Sequence, residues 1–122
     1  MVTGSGAANA CGLARLLAMA VNARVIGRCD GKGHALDSAT YGAFRLWADC
    51  DVMIGIGSRL QTPYMRWSDE TRLPHQPLPY LIRIDDDPAE FERLVPHIGI
   101  LADAEPATDA LLTAVLRIRS GR

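Results

Sequence analysis

The chain has 122 residues, the length of a single domain, and 48% of them are apolar and 22% charged, as in soluble globular proteins. Its net charge is −1, from 13 basic and 14 acidic residues, and Lys32 is its one lysine. No basic cluster indicates nucleic-acid binding. No apolar run approaches the ~20 residues of a membrane-spanning helix, so no membrane association is expected.

The cysteines and histidines show no pattern typical of a catalytic or metal site. Cys11, Cys29 and Cys50 are odd in number and have no CxxC spacing. That favours reduced thiols in a cytoplasmic protein over disulfides or a zinc site. The three histidines are scattered, with no Ser/His/Asp or Cys/His arrangement. We therefore predict no catalytic residue and no metal ligand.

Strand and helix patterns alternate along the chain. A strand end at residues 1–3 precedes a glycine turn at 4–6 and a helix over 7–22, whose apolar residues recur at helical spacing. Further strands are predicted over 24–27, 51–56, 80–84 and 97–101, and further helices over 41–48, 88–94 and 106–118. The apolar faces predicted for the first and last helices are Leu13, Leu16, Leu17 and Ala20, and Leu111, Leu112, Val115 and Leu116. Short apolar strands between helices predict an α/β domain with a parallel sheet covered on both faces.

Suggestive residues follow the predicted strands, where parallel sheets bind ligands. Gly4-Ser5-Gly6 follows the first strand, and Gly57-Ser58-Arg59 follows the third. Glycines let the backbone approach a ligand, and N–H groups at a helix start attract phosphate. Arg59 offers a planar fork of donors for phosphate or carboxylate. The alternatives are a tight turn without a ligand and, for Arg59, a surface ion pair. Asn9 also stands where the dinucleotide fingerprint GxGxxG has its last glycine.

The stretch RIDDDPAE, residues 83–90, combines a strand end with a helix start. Asp87 before Pro88 predicts an N-cap with proline at the first helical position, and Glu90 three residues on predicts a capping box. Asp85 ends the strand and is the better ligand candidate, for example for ribose hydroxyls. Asp86 is expected to face the opposite way into solvent.

Four motifs in order carry a resemblance that spans nearly the whole chain. They are GKG at 31–33, ADCDVMIGIGSRL at 48–60, IRIDDDPAE at 82–90 and ILADAEPATDALL at 100–112. Together they resemble the central domain of thiamine-diphosphate-dependent enzymes of the acetolactate synthase, benzoylformate decarboxylase and oxalyl-CoA decarboxylase type. The resemblance implies a three-layer Rossmann-like (DHS-like NAD/FAD-binding) domain with a parallel sheet of five to six strands.

The resemblance also implies where the thiamine chemistry lies. In this family the activating glutamate belongs to an N-terminal domain and the Mg-diphosphate motif GDG to a C-terminal one; no GDG occurs here. Residues 1–122 are thus expected to be one central domain, clipped at its amino end and inactive alone. Its expected partners are flanking or companion domains that bind thiamine diphosphate and Mg, and self-association is a further expectation. The parent is expected to act on a 2-oxo acid or an acyl-CoA-linked acid.

Some family members bind FAD or ADP in this domain, while in many it binds nothing. Asp30 and Ala102 depart from the pattern of the FAD binders. The alternative functions are therefore a scaffold with a vestigial nucleotide site and a free-standing FAD/ADP-binding module; a distant Rossmann-like dehydrogenase is disfavoured. The contacts implied by position, besides the residues before Gly31, are Gly4, Ser5, Gly6, Gly57, Ser58, Arg59, Asp85, Asp103 and Ala104.

Overall fold

A computed structural model describes residues 1–27, 50–60 and 79–121. In these ranges five strands form one all-parallel sheet, flanked by three α-helices, which confirms the predicted α/β class. The strands are β1 (Val2–Thr3), β2 (Ile26–Gly27), β3 (Val52–Ile56), β4 (Tyr80–Asp85) and β5 (Ile98–Leu101). The helices are α1 (Cys11–Ala20), α2 (Pro88–Arg93) and α3 (Ala104–Ser120). The helix predicted over 41–48, the GKG motif and most of the long loop after β3 lie outside the described residues.

The strand order is β2-β1-β3-β4-β5, with β1 between β2 and β3. The chain leaves β1 towards one edge of the sheet and returns to its other side, so the winding direction reverses there. Val2 pairs with Ile26 on one side and with Gly55 on the other. This reversal is the topological switch point, and it places the turns after β1 and β3 beside one another at the carboxyl edge.

Two apolar clusters hold helices against the two faces of the sheet. On one face α1 and α3 pack on β3 and β4, through buried residues such as Leu17, Ile56 and Leu112. On the other face Met53, Leu81 and the other buried apolar residues form the second cluster, which Leu94 joins directly after α2. Strands β3 and β4 therefore bury side chains on both faces, which accounts for their near-continuous apolar sequences.

Helix α1 begins four residues later than predicted, because a 3₁₀ turn at Ser5–Ala7 intervenes. The Ala7 N–H donates to the Gly4 carbonyl at 3.0 Å, the tighter spacing of that turn. The helix ends with Asn22 in the left-handed region (φ 55°), where the Ala23 N–H donates to the Ala18 carbonyl at 2.8 Å. That arrangement is a Schellman ending, in which an asparagine takes the position usual for glycine.

The apolar faces predicted for α1 and α3 are partly wrong. Leu17 and Leu112 are buried, but Leu16 is 52% exposed and Leu116 is 50% exposed. The buried side of α1 is instead lined by the small residues Ala14 and Ala18. Small side chains allow α1 to approach the sheet and α3 closely. A prediction based on the spacing of large apolar side chains does not identify such a buried face.

Helix α3 begins at Ala104, two residues before the predicted start at Pro106. The Asp103 carboxylate accepts the Ala104 N–H at 2.9 Å and is the N-cap. Pro106 still lies in the first turn, where a missing N–H costs no hydrogen bond. Asp103, predicted as a ligand contact, therefore has a structural role at the helix start.

Asp87 is the N-cap of α2, as predicted. Its side chain accepts the Ala89 N–H at 3.0 Å, and Pro88 is the first helical residue. We expect Asp87→Ala to lower the free energy of unfolding by ~1 kcal/mol, because the α2 start would lose its capping acceptor. Urea denaturation measures the change. The neighbouring exposed Asp86→Ala is the matched control and should stay within ~0.5 kcal/mol of wild type; equal losses in both variants would contradict the capping role.

Cys11 and Cys50 are not joined by a disulfide in the described residues, and Cys29 lies outside them. Within the part of the chain that the structure describes, no helix is both long and apolar enough to cross a membrane.

Candidate functional site

A cleft of about 560 Å³ opens at the carboxyl edge of the sheet. It is formed by the turns that follow β1, β3, β4 and β5, together with α2. Seven of the nine predicted site residues line it, while Gly4 and Ser58 are not part of its lining. The seven are Ser5, Gly6, Gly57, Arg59, Asp85, Asp103 and Ala104. The structure therefore brings together most of the residues predicted from the strand ends and from the family resemblance.

The glycines of this edge are explained by close contact between two turns of the chain itself. A Cβ on Gly4 would lie 2.4 Å from the Gly57 carbonyl oxygen. Gly57 has φ +57°, and a Cβ there would lie 2.5 Å from the Gly6 carbonyl carbon and 2.6 Å from the Ala7 nitrogen. Backbone atoms cannot move aside cheaply, so both turns require glycine whether or not a ligand binds.

The N–H groups of these glycines already have partners. Gly4 donates to the Ile56 carbonyl at 3.1 Å, Gly6 to the Gly57 carbonyl at 3.1 Å, and Gly57 to the Ile84 carbonyl at 2.8 Å. A phosphate-binding turn presents free N–H groups to the anion. The three glycine amides of this edge instead connect the turns after β1 and β3 to each other and to the ends of strands β3 and β4.

Ser58 and Arg59 also make contacts within the protein. The Ser58 hydroxyl accepts the Leu60 N–H at 3.1 Å and supports the left-handed backbone of Leu60 (φ 52°). The exposed Arg59 guanidinium lies 3.4 Å from a Glu90 carboxylate oxygen. This contact is the ion pair that stood as the alternative to an anion-binding role for Arg59.

Asp85 closes the turn between β4 and α2. Its Oδ1 accepts the Asp87 N–H at 2.9 Å, and its other oxygen lies 4.0 Å from the Arg83 guanidinium. Asp85 still lines the cleft, so it can meet a ligand with its remaining lone pairs. Asp86 is exposed, as predicted from strand alternation.

Arg83, which sequence reasoning did not single out, is fully buried beneath the cleft at 0% exposure. Its guanidinium donates to the carbonyls of Glu90 (2.7 Å), Leu94 (2.9 Å) and Ser58 (3.0 Å), and to the Glu90 carboxylate at 2.8 Å. Arg83 thus joins the loop after β3 to the first turn of α2 and to the residue that follows its last turn. The sequence does hold one signal for this buried ion pair. Arg83 is a basic residue in an otherwise apolar strand, and the acidic Glu90 follows seven positions later in the next helix.

The capping-box prediction for Glu90 is wrong. The Asp87 N–H is taken by Asp85, and the buried Glu90 carboxylate instead accepts from Arg83 and from Arg93, the latter at 2.9 and 2.8 Å. The Arg93 hydrogen bond, helped by Arg83 and opposed by burial, lowers the pKa of Glu90 to about 2. A buried cation below the helix attracts this carboxylate more strongly than a backbone amide does.

The comparison with known protein families decides the identity of the chain. The family model described as "Thiamine pyrophosphate enzyme, central domain" matches residues 1–111. The chain belongs to this family. A search of curated proteins found no match. The central domain therefore has the predicted Rossmann-like fold and belongs to enzymes whose cofactor is thiamine pyrophosphate.

The lining of the central domain's cleft does not suit a diphosphate. Within the described ranges the lining carries five carboxylates and two guanidinium groups. These are Asp85, Asp86, Asp87, Glu90 and Asp103, with Arg59 and Arg93. Both arginines already face Glu90, so the surplus negative charge repels an anion. The same residues include no cluster of three or more His, Cys, Asp or Glu side chains placed to hold a metal ion.

The lowered pKa of Glu90 makes the stability of the central domain depend on pH. Because the folded-state pKa is about 2 and the ordinary value is 4.5, the stabilisation is fully present above about pH 4.5 and is lost as the pH falls towards 2. We expect wild type to be more stable than Glu90→Gln at neutral pH, with the difference shrinking as the pH falls below 4.5. Urea denaturation between neutral and acidic pH measures it.

The exposed Glu92 on the same helix provides the matched control for this pH dependence. Glu92→Gln should show no comparable gap to wild type at any pH. A gap between wild type and Glu90→Gln that stays constant from neutral to acidic pH would contradict the assigned ion pairs.

Proposed function

We propose that this central domain is a scaffold and interface element of its parent enzyme, and that flanking or companion domains hold thiamine diphosphate and Mg. The observation that carries the proposal is the pairing of Gly4, Gly6 and Gly57 with neighbouring backbone at the switch point. A nucleotide site at this position would bind phosphate through free backbone N–H groups of these turns. Here the three glycine amides instead donate to carbonyls of the chain itself.

The cleft is proposed as a vestigial nucleotide site. It keeps the position of a Rossmann-like ligand site and an aspartate, Asp85, at the end of β4. It also keeps a volume large enough for a nucleoside. Its acidic lining and paired amides disfavour the diphosphate of ADP or FAD, so a free-standing nucleotide-binding module is not favoured.

The parent reaction is proposed from the motifs. The stretches at 48–60 and 82–90 resemble those of 2-oxo acid decarboxylases and synthases and of acyl-CoA lyases. The substrate class is accordingly a 2-oxo acid or an acyl-CoA-linked acid. The carbon–carbon chemistry would take place on the cofactor in the partner domains, with none of its catalytic groups coming from this chain.

The interface role is supported by exposed apolar residues on α1 and α3. Helices α1 and α3 run side by side, since Asn9 contacts Glu105 at one end and Arg119 contacts Ala20 at the other. Large apolar side chains on these two helices are half or more exposed, with Met19 at 76% and Ile118 at 67%. We name Leu16, Met19 and Ile118 the helix patch; Leu116 lies two positions from Ile118 and so faces another side of α3. Exposed apolar residues of this kind are typical of surfaces covered in an assembly.

Equilibrium dialysis of the purified chain against thiamine diphosphate and Mg²⁺ tests the scaffold role. We expect no retention of cofactor above a control without protein, because the described carboxylates form no metal site and repel the diphosphate. Retention that requires Mg²⁺ would overturn the proposal, since the chain would then hold the cofactor itself. Asp85→Asn would show whether such binding occurs in the cleft.

The helix patch predicts concentration-dependent self-association of the isolated chain. We expect the double variant Met19→Lys/Ile118→Lys to remain monomeric in sedimentation velocity at concentrations where wild type associates, because the charges prevent apolar contact. Thr113→Lys, at another exposed position of α3, is the matched control and should associate like wild type. A monomeric wild type at all concentrations, or a double variant that associates equally, would contradict this use of the patch.

A further inference from the structure

A further cavity, of about 560 Å³, opens at the amino edge of the sheet, where the first residues of β1, β2 and β3 line it. We name it the socket. Its lining is mostly apolar and includes Val52 and Ile54 on β3, Ile82 on β4, and Val21 directly after α1. Val21 is 39% exposed and Val52 is 46% exposed, so the socket is open to solvent. Apolar surface of this kind favours an apolar occupant.

The socket also carries one cation and one anion. Arg24, which precedes β2, and Asp51, which precedes β3, both line it, and both are exposed. Within residues 1–27, 50–60 and 79–121, neither side chain takes part in an ion pair. A partner surface that offers an anion to Arg24 and a cation to Asp51 would therefore complement the charges of the socket. A second copy of the same surface offers both.

The helix patch lies at the margin of the socket. Met19 is two positions before Val21 in the chain, and Arg119, the neighbour of Ile118, donates to the carbonyl of Ala20. Met19 and Ile118 are therefore close to the socket, but neither is part of its lining. Large exposed apolar side chains thus lie beside an open apolar cavity. A two-fold axis can set the patch of each copy against the socket of the other.

We propose that the socket receives the helix patch of a second copy of this central domain, in a two-fold dimer. Met19 and Ile118 of each copy enter the socket of the other, and Arg24 of each copy pairs with Asp51 of the other. This dimer rests on the proposed interface role and adds the surface that the helix patch contacts. The two-fold arrangement forms both ion pairs at once and closes at two copies, whereas a head-to-tail contact would continue into a ring or a filament.

Exchange of the two charges tests the pairing. Arg24→Asp and Asp51→Arg each set like charges against one another in a dimer of identical copies. Each should therefore raise the dimer dissociation constant at least about tenfold in sedimentation velocity. An equimolar mixture of the two variants should recover the wild-type affinity as a 1:1 heterodimer, because every facing pair is again of opposite charge. Both positions are exposed, so neither substitution should prevent folding.

A charge inside the socket tests its apolar lining. Val52→Lys should raise the dimer dissociation constant at least about tenfold as well, because the lysine would have to be buried against apolar side chains. Val95→Lys is the matched control. Val95 is 73% exposed and lies outside the socket, so this variant should associate like wild type.

Three results would overturn the socket dimer. One is association that requires the helix patch but is unchanged by Arg24→Asp, Asp51→Arg and Val52→Lys; the interface role of the helix patch would then stand without the socket. Another is a mixture of the two charge variants that stays monomeric. The third is a wild type that associates only with a thiamine-binding companion chain, which would assign the socket to that chain.

Discussion

Arg83→Met is expected to lower the free energy of unfolding by about 3–5 kcal/mol, because it removes one partner of a buried ion pair. The substitution also removes the donors for three carbonyls, those of Ser58, Glu90 and Leu94. The loop after β3 and helix α2 would lose the buried guanidinium that donates to both of them. Small domains are stable by roughly 5–15 kcal/mol, so the variant should be barely folded at 37 °C. Urea and thermal denaturation measure the loss.

Arg93→Met is the matched control for Arg83→Met. Arg93 also pairs with Glu90, but its side chain is partly exposed, so its loss should cost only ~1 kcal/mol. The double variant Arg83→Met/Glu90→Leu should recover part of the loss, because it removes both buried charges. Equal destabilisation by Arg83→Met and Arg93→Met would contradict the central role of the buried guanidinium.

Gly57→Ala is expected to destabilise the domain by about 2–4 kcal/mol. The added Cβ would lie 2.5 Å from a backbone carbon of Gly6, and the residue would have to keep φ +57°. The first effect is overpacking, which typically costs 1–3 kcal/mol, and the second adds roughly 1 kcal/mol. The clash would separate the turns after β1 and β3, on which the cleft depends. Chemical denaturation measures the change.

Gly12→Ala is the matched control for Gly57→Ala. Gly12 lies inside α1, and a Cβ there would meet nothing within 4 Å. Alanine favours a helix over glycine, so this variant should gain up to ~1 kcal/mol. If Gly57→Ala were as stable as wild type, the close packing of the two turns would be refuted.

Local patterns in the sequence predicted most of the fold. The apolar strands, the Asp87-Pro88 helix start and the glycine turns each depend on neighbouring residues in the chain. Their observed bounds agree with the predicted bounds to within a few residues. The order of the strands also placed Gly6, Gly57 and Asp85 at one edge. The family motifs then led to the thiamine pyrophosphate enzyme central domain, and the family match confirmed it.

The features that sequence reasoning missed arise from contacts between distant segments. Glu90 fits a capping box locally, but the buried Arg83 guanidinium beneath it offers a stronger partner. The 3₁₀ turn that precedes α1 contains Gly6, whose N–H donates to the carbonyl of the distant Gly57. The small buried face of Ala14 and Ala18 likewise depends on how closely the helix approaches the sheet. A local sequence pattern carries no information on how closely two segments that are distant in the chain approach each other.

The central claim is that the N–H groups of Gly4, Gly6 and Gly57 already donate to backbone carbonyls of this central domain and so are not free to bind a nucleotide phosphate. Thermal denaturation of the purified chain with ADP and with FAD tests it most directly. At about 100 times its dissociation constant a ligand would add ~2.7 kcal/mol of stability, a readily measured shift. The account predicts no shift with either ligand. A shift that Asp85→Asn abolishes would contradict it and would establish the cleft as a working nucleotide site.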